Sequence, residues 1–357
     1  MAGSQALRVL DANVDRCQEG LRALEDVARF MLNDGSLAGR FRDLRHHIAH
    51  AVSPLDSAML GARRADEDVG SEPGLPEEDR QGVEQLVRAN AKRVEEALRV
   101  LEEFARLREM PAQLDLQSFK HARFAVYELE QRLVRSLGRQ GKVDRVKGLY
   151  VVLDPTATKG RGELEVAEEA LRGGASVIQF RDKVREKGLQ LQVLTALRDL
   201  CHGFGALLIV NDYPELAIAC GADGVHLGQK DLPLPVARSL LPAEQIVGVS
   251  CATVEEAVDA DATGADYIAV GAMFPTVSKL GTRPAGLLTL RKVREVTTRP
   301  LVAIGGIDAD NVAQVVAAGA DAVAVISAVV GASDPAAAAR TLQERMLLRR
   351  AVDSDPA

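Results

Sequence analysis

The sequence predicts a two-part α/β chain: an all-α, internally duplicated segment over residues 1–140, then a (β/α)8 TIM barrel over residues 148–349. Three observations predict it. A set of identical residues recurs 77 positions apart in the first part. Beyond Gly148, short Val/Ile-rich runs alternate with helical stretches, the pattern of a parallel sheet or barrel. A Gly-Ala-Asp or Gly-Ala-Ser tripeptide precedes four of those runs, where Gly ends a helix and permits a tight turn into a strand. At 357 residues the chain suits two domains better than one core.

Residues 7 to about 137 read as helical. Leu10, Val14, Cys17, Leu21, Leu24, Ala28 and Met31 recur at steps of three and four and form one apolar stripe. Asn13, Arg16, Glu19, Leu21, Arg22, Leu24, Glu25, Ala28 and Arg29 reappear 77 positions on, as Asn90, Arg93, Glu96, Leu98, Arg99, Leu101, Glu102, Ala105 and Arg106. Phe41 and Arg45 find Phe119 and Arg123 at an offset of 78. A duplicated helix pair, packed as a four-helix bundle with pseudo-twofold symmetry, follows. The repeated Arg and Glu read most simply as i,i+3 pairs along long helices, worth about 0.2–0.5 kcal/mol each. The sharper reading is a polar site on the pseudo-axis lined by Asn13 and Asn90. His46 and His50 lie one turn apart, but with no third ligand nearby they read as surface residues. Gly61 to Glu78 reads as a loop between the halves, and the basic stretch Arg135 to Lys147 as the junction between domains.

Eight strands are expected in the second part: Gly148 to Leu153, Ser176 to Phe180, Ala206 to Val210, Gly224 to Leu227, Ile246 to Val249, Tyr267 to Val270, Leu301 to Ile304 and Ala322 to Ile326. The tripeptides put Asp223, Asp266 and Asp321 at the base of the barrel, away from the C-terminal rim where such folds do chemistry, so they are excluded from the site. A last helix runs to about Arg349, and residues 351–357 read as a frayed tail.

Composition narrows the function classes. A net charge of -7 argues against a general nucleic-acid binder. Cys17, Cys201, Cys220 and Cys251 show neither zinc nor disulfide spacing. The start is charged and amphipathic, and no long apolar span follows, so a cytoplasmic protein without a membrane partner is expected. A homo-oligomer remains open.

The rim residues carry the chemistry. Asn211 and Asp212 end the third strand and Asp231 follows the fourth, so two carboxylates from neighbouring strand ends can share one hard cation, a candidate Mg²⁺ site. In Gln179-Phe180-Arg181-Asp182-Lys183, alternation lets Gln179, Arg181 and Lys183 project to one side. Thr276-Val277-Ser278-Lys279 offers two hydroxyls and a point charge after the sixth strand. Gly305-Gly306-Ile307, ahead of a helix that Asp308 could cap, and Ile326-Ser327 supply the usual phosphate cradle of this fold. Two anionic groups are expected, one on metal and Lys/Arg, the other on backbone amides. His226 lies within a strand and reads as packed rather than catalytic.

From Gly148 to about Arg349 these motifs, with Gly224 to Asp231 and Ser250, resemble thiamine phosphate synthase, also called thiamine-phosphate pyrophosphorylase. The resemblance implies condensation of hydroxymethylpyrimidine diphosphate with hydroxyethylthiazole phosphate, or its carboxylated form, to thiamine phosphate and diphosphate. Diphosphate leaves first, and the thiazole nitrogen traps the pyrimidine methyl cation. It further implies Mg²⁺ on Asp212 and Asp231; Arg181, Lys183 and Lys279, with Ser250, in the catalytic set; and Gln179, Asn211 and Ser250 on the pyrimidine diphosphate. Thr276, Ser278, Gly306, Ile326 and Ser327 would hold the thiazole phosphate, with Phe180, Asp182 and Val277 in the same binding segments. Ser278 stands where Thr is expected and Phe180 where Leu is common.

Asp11-Ala12-Asn13, the Glu-Gly-Leu-Arg and Glu-Ala-Leu-Arg echoes and Asp68-Val69-Gly70 resemble a helical domain whose relatives are hydroxymethylpyrimidine phosphate kinases. Arg64 stands where that family's loop is expected to carry Asp, and an oligomerisation or regulatory module is the alternative. For the barrel the alternatives are a thiazole tautomerase, which would not need the paired carboxylates, and a non-catalytic phosphate-binding module.

Overall fold

The computed structural model describes residues 2–63, 81–107, 114–275 and 284–353, so the expectations for Arg64, Asp68-Val69-Gly70 and Thr276-Val277-Ser278-Lys279 lie outside the described residues. The chain divides into two compact units, Met1–Gly138 and Arg139–Ala357.

The first unit contains helices α1 (Ala2–Asp26), α2 (Gly35–Val52), α3 (Asp56–Ala62), α4 (Val83–Phe104) and α5 (Leu116–Val143), whose last residues run past the unit's end and through most of the basic stretch. Leu10, Cys17, Leu21 and Leu24 of the predicted stripe are buried with Phe41, Leu98 and Phe119. Met31 departs from the stripe and is exposed, because Val27–Met31 adopts π-helical geometry, whose wider turn rotates later residues off the buried face. Helices α1 and α4 pack closely: a Cβ on Gly20 would stand 2.5 Å from Val94 Cγ2.

The i,i+3 expectation holds for Arg99 and Glu102, but the duplicated glutamates also reach across to a neighbouring helix. Glu25 is buried and accepts from Arg42 Nε at 3.0 Å and Arg45 Nη2 at 3.2 Å, both on α2. Its counterpart Glu102, also buried, accepts from Arg123 Nε of α5 at 2.7 Å and from Arg99 Nη1 at 2.9 Å. The repeat therefore conserves a clamp between helices. Asn13 and Asn90 turn their amides back onto their own helices, donating to Val9 O at 2.8 Å and Leu86 O at 2.9 Å. Burial alone would raise both glutamates, but their arginines outweigh it and hold each below the ordinary 4.5. A depressed carboxylate stabilises the fold above its unfolded pKa and loses that contribution as pH falls through the folded value. His46 and His50 are exposed.

The second unit is a closed barrel of eight parallel strands in sequence order: β1 (Gly148–Leu153), β2 (Ala175–Phe180), β3 (Leu207–Asn211), β4 (Gly224–Leu227), β5 (Ile246–Cys251), β6 (Tyr267–Gly271), β7 (Leu301–Ile304) and β8 (Ala322–Val325). Its helices are α6 (Glu163–Arg172), α7 (Lys187–Gly203), α8 (Pro214–Cys220), α9 (Leu234–Leu240), α10 (Val254–Ala262), α11 (Gly286–Val296), α12 (Val312–Ala317), α13 (Ser327–Val330) and α14 (Pro335–Asp353), the last extending beyond Arg349. Alternation along the strands separates two cores. Tyr150, Val152, Val177, Ile209 and Tyr267 fill the barrel, whereas Val151, Ile178 and Phe180 face the helices. Strand β5 runs two residues longer than expected, which places Ser250 inside it.

The base aspartates do structural work there. Asp223, Asp266 and Asp321 each accept an amide near the start of the preceding strand, from Leu208 N at 2.9 Å, Val247 N at 2.8 Å and Leu301 N at 2.8 Å. Gly221, at a φ of +69°, closes α8 ahead of one of them. Asp308 caps no helix: α12 begins at Val312, and Asp308 Oδ1 instead accepts from Asp310 N at 2.9 Å and Asn311 N at 3.3 Å in the turn before it.

Replacing Glu102 by Ala leaves Arg123 without its buried carboxylate and should cost about 3 kcal/mol. The half-exposed Arg99→Ala should cost under about 1 kcal/mol. Chemical denaturation of the two variants checks the order.

Candidate active site

Two neighbouring regions form at the C-terminal rim. The first is a cavity in the mouth of the barrel, lined by Gln179, Arg181, Asn211, His226, Ser250 and Ile326 with the apolar side chains of Val152, Ala269, Val302 and Ile304. Strand parity explains the selection, since Gln179 and Arg181 point in. Phe180 and Asp182 point out. Phe180 belongs to the core beneath the helices. Asp182 Oδ1 accepts from Val184 N at 2.8 Å and Arg185 N at 3.1 Å, and its other oxygen pairs with Arg185 Nε. Burial would raise the Asp182 carboxyl, but these bonds outweigh it and hold it below its usual range. These bonds shape the loop after β2, and Asp182 lines neither region.

The second region is a cleft formed by Lys183, Asp212, Tyr213, Glu215, Lys230 and Asp231. Asp212 sits one residue beyond β3 in the left-handed region, at a φ of +64°, with its amide donating to His226 O at 2.8 Å. A non-glycine residue there is uncommon, and Asp tolerates it better than most. Lys183 Nζ pairs with Asp212 Oδ2. Asp231 Oδ2 accepts from Gly228 N at 2.7 Å. Burial and then the adjoining Asp212 carboxyl push Asp231 up, against the opposing pull of Gly228 N–H and Lys183. Two carboxylates forced together in this way suit a hard divalent cation. Among the described residues no group of three His, Cys, Asp or Glu forms a closed cage, so such a cation would keep water or phosphate oxygens as its other ligands.

Gly306 adopts a φ of +68°, and a Cβ there would meet Pro275 O at 2.7 Å. Its carbonyl accepts from Asn311 Nδ2 at 2.9 Å. Ile326 lines the cavity and Ser327 begins α13.

Four residues at this site were not singled out as functional from the sequence. Asp154, just after β1, is buried, accepts from Thr156 Oγ1 at 2.6 Å and pairs with Arg181 Nη1. His226, expected to be merely packed, lines the cavity and bonds Ser250 Oγ through Nε2 at 2.8 Å. Tyr150 and Tyr267 complete the floor. An acidic residue just past a buried strand was the available signal for Asp154; the aromatics looked like ordinary strand residues.

Residues 149–329 match the family model for thiamine monophosphate synthase, and residues 8–132 match the ThiD2 family. The thiamine-phosphate synthase of Synechocystis sp. is 42% identical over 339 residues, covering 94% of this chain and 94% of that one. That of Nostoc sp. is 41% identical over 331 residues, covering 92% and 90%. The chain belongs to the thiamine-phosphate synthase family. It is thus an enzyme, a transferase of thiamine biosynthesis. Within the family, the thiamine phosphate pyrophosphorylase from Pyrococcus furiosus aligns with a TM-score of 0.54 at 38% identity, covering 60% of this chain and 98% of its own. Among the described residues no helix is long and apolar enough to cross a membrane.

Because Asp182 faces away from both regions, Asp182→Ala should lower stability by about 1–3 kcal/mol while leaving diphosphate affinity within about twofold. Urea denaturation and calorimetric titration read the two effects separately.

Proposed function

We propose that the barrel joins hydroxymethylpyrimidine diphosphate to hydroxyethylthiazole phosphate, giving thiamine phosphate and diphosphate. The observation that carries this reading is the pairing of a largely apolar cavity, bearing a few amide and hydroxyl groups, with a charged cleft beside it containing Lys183, Asp212 and Asp231. A neutral heteroaromatic ring suits the first and a polyanion the second.

In the reaction the C–O bond to diphosphate breaks and its electron pair leaves with the diphosphate. The pyrimidine methyl cation is then captured by the thiazole nitrogen, forming the C–N bond. Arg181, oriented by Asp154, and Lys183 stabilise the charge that accumulates on the departing group. Lys279 is proposed to join them. Mg²⁺ held by Asp212 and Asp231 would supply further neutralisation of the leaving diphosphate. Gln179, Asn211 and Ser250 hold the pyrimidine. Val152, Ala269 and Val302 keep water from the cation, which would otherwise be quenched. Thr276 and Ser278, with Gly306, Ile326 and Ser327, are proposed to bind the thiazole phosphate. The paired carboxylates favour this reading over a tautomerase, whose proton transfers need no such pair.

A second reading concerns the helical unit. Its match to the ThiD2 family over residues 8–132 supports a phosphorylation of hydroxymethylpyrimidine phosphate that supplies the barrel's own substrate.

Asp212→Ala and Lys279→Ala should each lower kcat/KM with supplied diphosphate by roughly 100-fold or more, with circular dichroism unchanged. Chelation should abolish turnover; near-normal rates in both variants would contradict the assignment. With hydroxymethylpyrimidine monophosphate and ATP in place of the diphosphate, product analysis should again show thiamine phosphate, and its absence would remove the kinase reading alone.

A further inference from the structure

The floor of the cavity is a single chain of hydrogen bonds with a direction. Gln179 Nε2 donates to Tyr150 Oη at 2.7 Å. A phenol has one proton, and that of Tyr150 is directed to Tyr267 Oη at 3.0 Å, since the side chain is buried and its hydroxyl has no other hydrogen-bonding neighbour among the described residues. Tyr267, having accepted, donates to His226 Nδ1 at 3.1 Å. A neutral imidazole that accepts at Nδ1 carries its proton at Nε2, and Nε2 lies 2.8 Å from Ser250 Oγ.

We propose that Tyr150 and Tyr267 are positioning residues that hold His226 as its Nε2–H tautomer and so leave the Ser250 hydroxyl proton to be donated into the cavity. At the other end of the chain, one N–H of Gln179 is given to Tyr150, which orients the amide, and its carbonyl oxygen, with no hydrogen bond from the described residues, is the acceptor offered to a ligand. The cavity thus presents an acceptor at Gln179 and a donor at Ser250. Resting on the proposed synthase reaction, this polarity sets which way round an aminopyrimidine sits: exocyclic amine toward Gln179, ring nitrogen toward Ser250. The reverse polarity would turn the ring over.

Two features hold the chain in place. Burial pushes both phenols well above their ordinary range, so each keeps its proton. The His226 and Tyr267 rings stack, with centroids 5.6 Å apart and planes 26° from parallel, which opposes rotation of the imidazole. Gly248 gives the Tyr267 phenol its place, because a Cβ at that position would stand 2.0 Å from Tyr267 Cζ.

The test is nitrogen NMR of the full-length protein labelled with ¹⁵N in its histidine rings. The chain has six histidines, and His226 is assigned by the signals lost in His226→Gln. The expected result is an Nε2–H pattern for His226 and a shifted Nδ1 resonance in Tyr267→Phe. An Nδ1–H pattern in the unaltered protein, or an Nδ1 resonance indifferent to Tyr267→Phe, would overturn the proposal. In kinetics, Tyr267→Phe should raise KM for the pyrimidine diphosphate by about fivefold, as loss of one hydrogen bond predicts, with KM for the thiazole phosphate unchanged. Equal changes in both would count against a positioning role. Were no thiamine phosphate formed at all, the synthase reading would fail, while the tautomer measurement would still decide the hydrogen-bond chain.

Discussion

A parallel strand that slips by one residue exchanges its two faces, so the chemistry of this barrel depends on register. Asp223, Asp266 and Asp321 secure it. Each sits just ahead of an even-numbered strand and receives an amide from the start of the strand before it, which ties β3 to β4, β5 to β6 and β7 to β8 at the base. Opposite charges neutralise these carboxylates, of which Asp223 and Asp266 are buried: Lys142 lies 3.2 Å from Asp223, Arg294 lies 2.9 Å from Asp321, and Arg238 pairs with Asp266. With the base held, strand parity turns Gln179 and Arg181 inward and Phe180 outward. The same constraint brings Asp212 and Asp231 together at neighbouring strand ends.

That juxtaposition of like charges is unfavourable in isolation. Lys183 relieves part of it through Asp212, and Gly228 N–H relieves part through Asp231. In the proposed reaction, this is the pair that would hold a cation and, through it, the leaving anion. The cavity beside it is built differently, from neutral donors and acceptors with apolar walls. In the proposed reaction, this division would separate leaving-group stabilisation from protection of the cationic fragment.

Much of this was legible in the sequence because it follows from periodicity. Eight Val/Ile-rich runs announced eight strands, and alternation predicted the inward course of Gln179 and Arg181. The tripeptide repeat placed three aspartates at the base. What escaped depends on contacts between distant elements. Glu25 and Glu102 have arginines at helical spacing, so a local rule explained them, yet both are buried against arginines of a following helix. Met31 followed the apolar period until a π-turn changed the phase. Tyr150, His226 and Tyr267 come from β1, β4 and β6, and only closure of the barrel brings them into one chain. Asp182 stood within a functional motif, but its parity turned it toward the loop.

The proposed mechanism depends on Asp212 and Asp231 acting as one cation site for a leaving diphosphate. Anomalous X-ray scattering from crystals grown with Mn²⁺ and diphosphate tests it most directly. The expected result is one peak coordinated by both carboxylates, with diphosphate oxygens completing the shell and Lys183 turned from Asp212 toward the anion. A peak bound elsewhere, or diphosphate seated on the rim with no metal between it and the two aspartates, would contradict it.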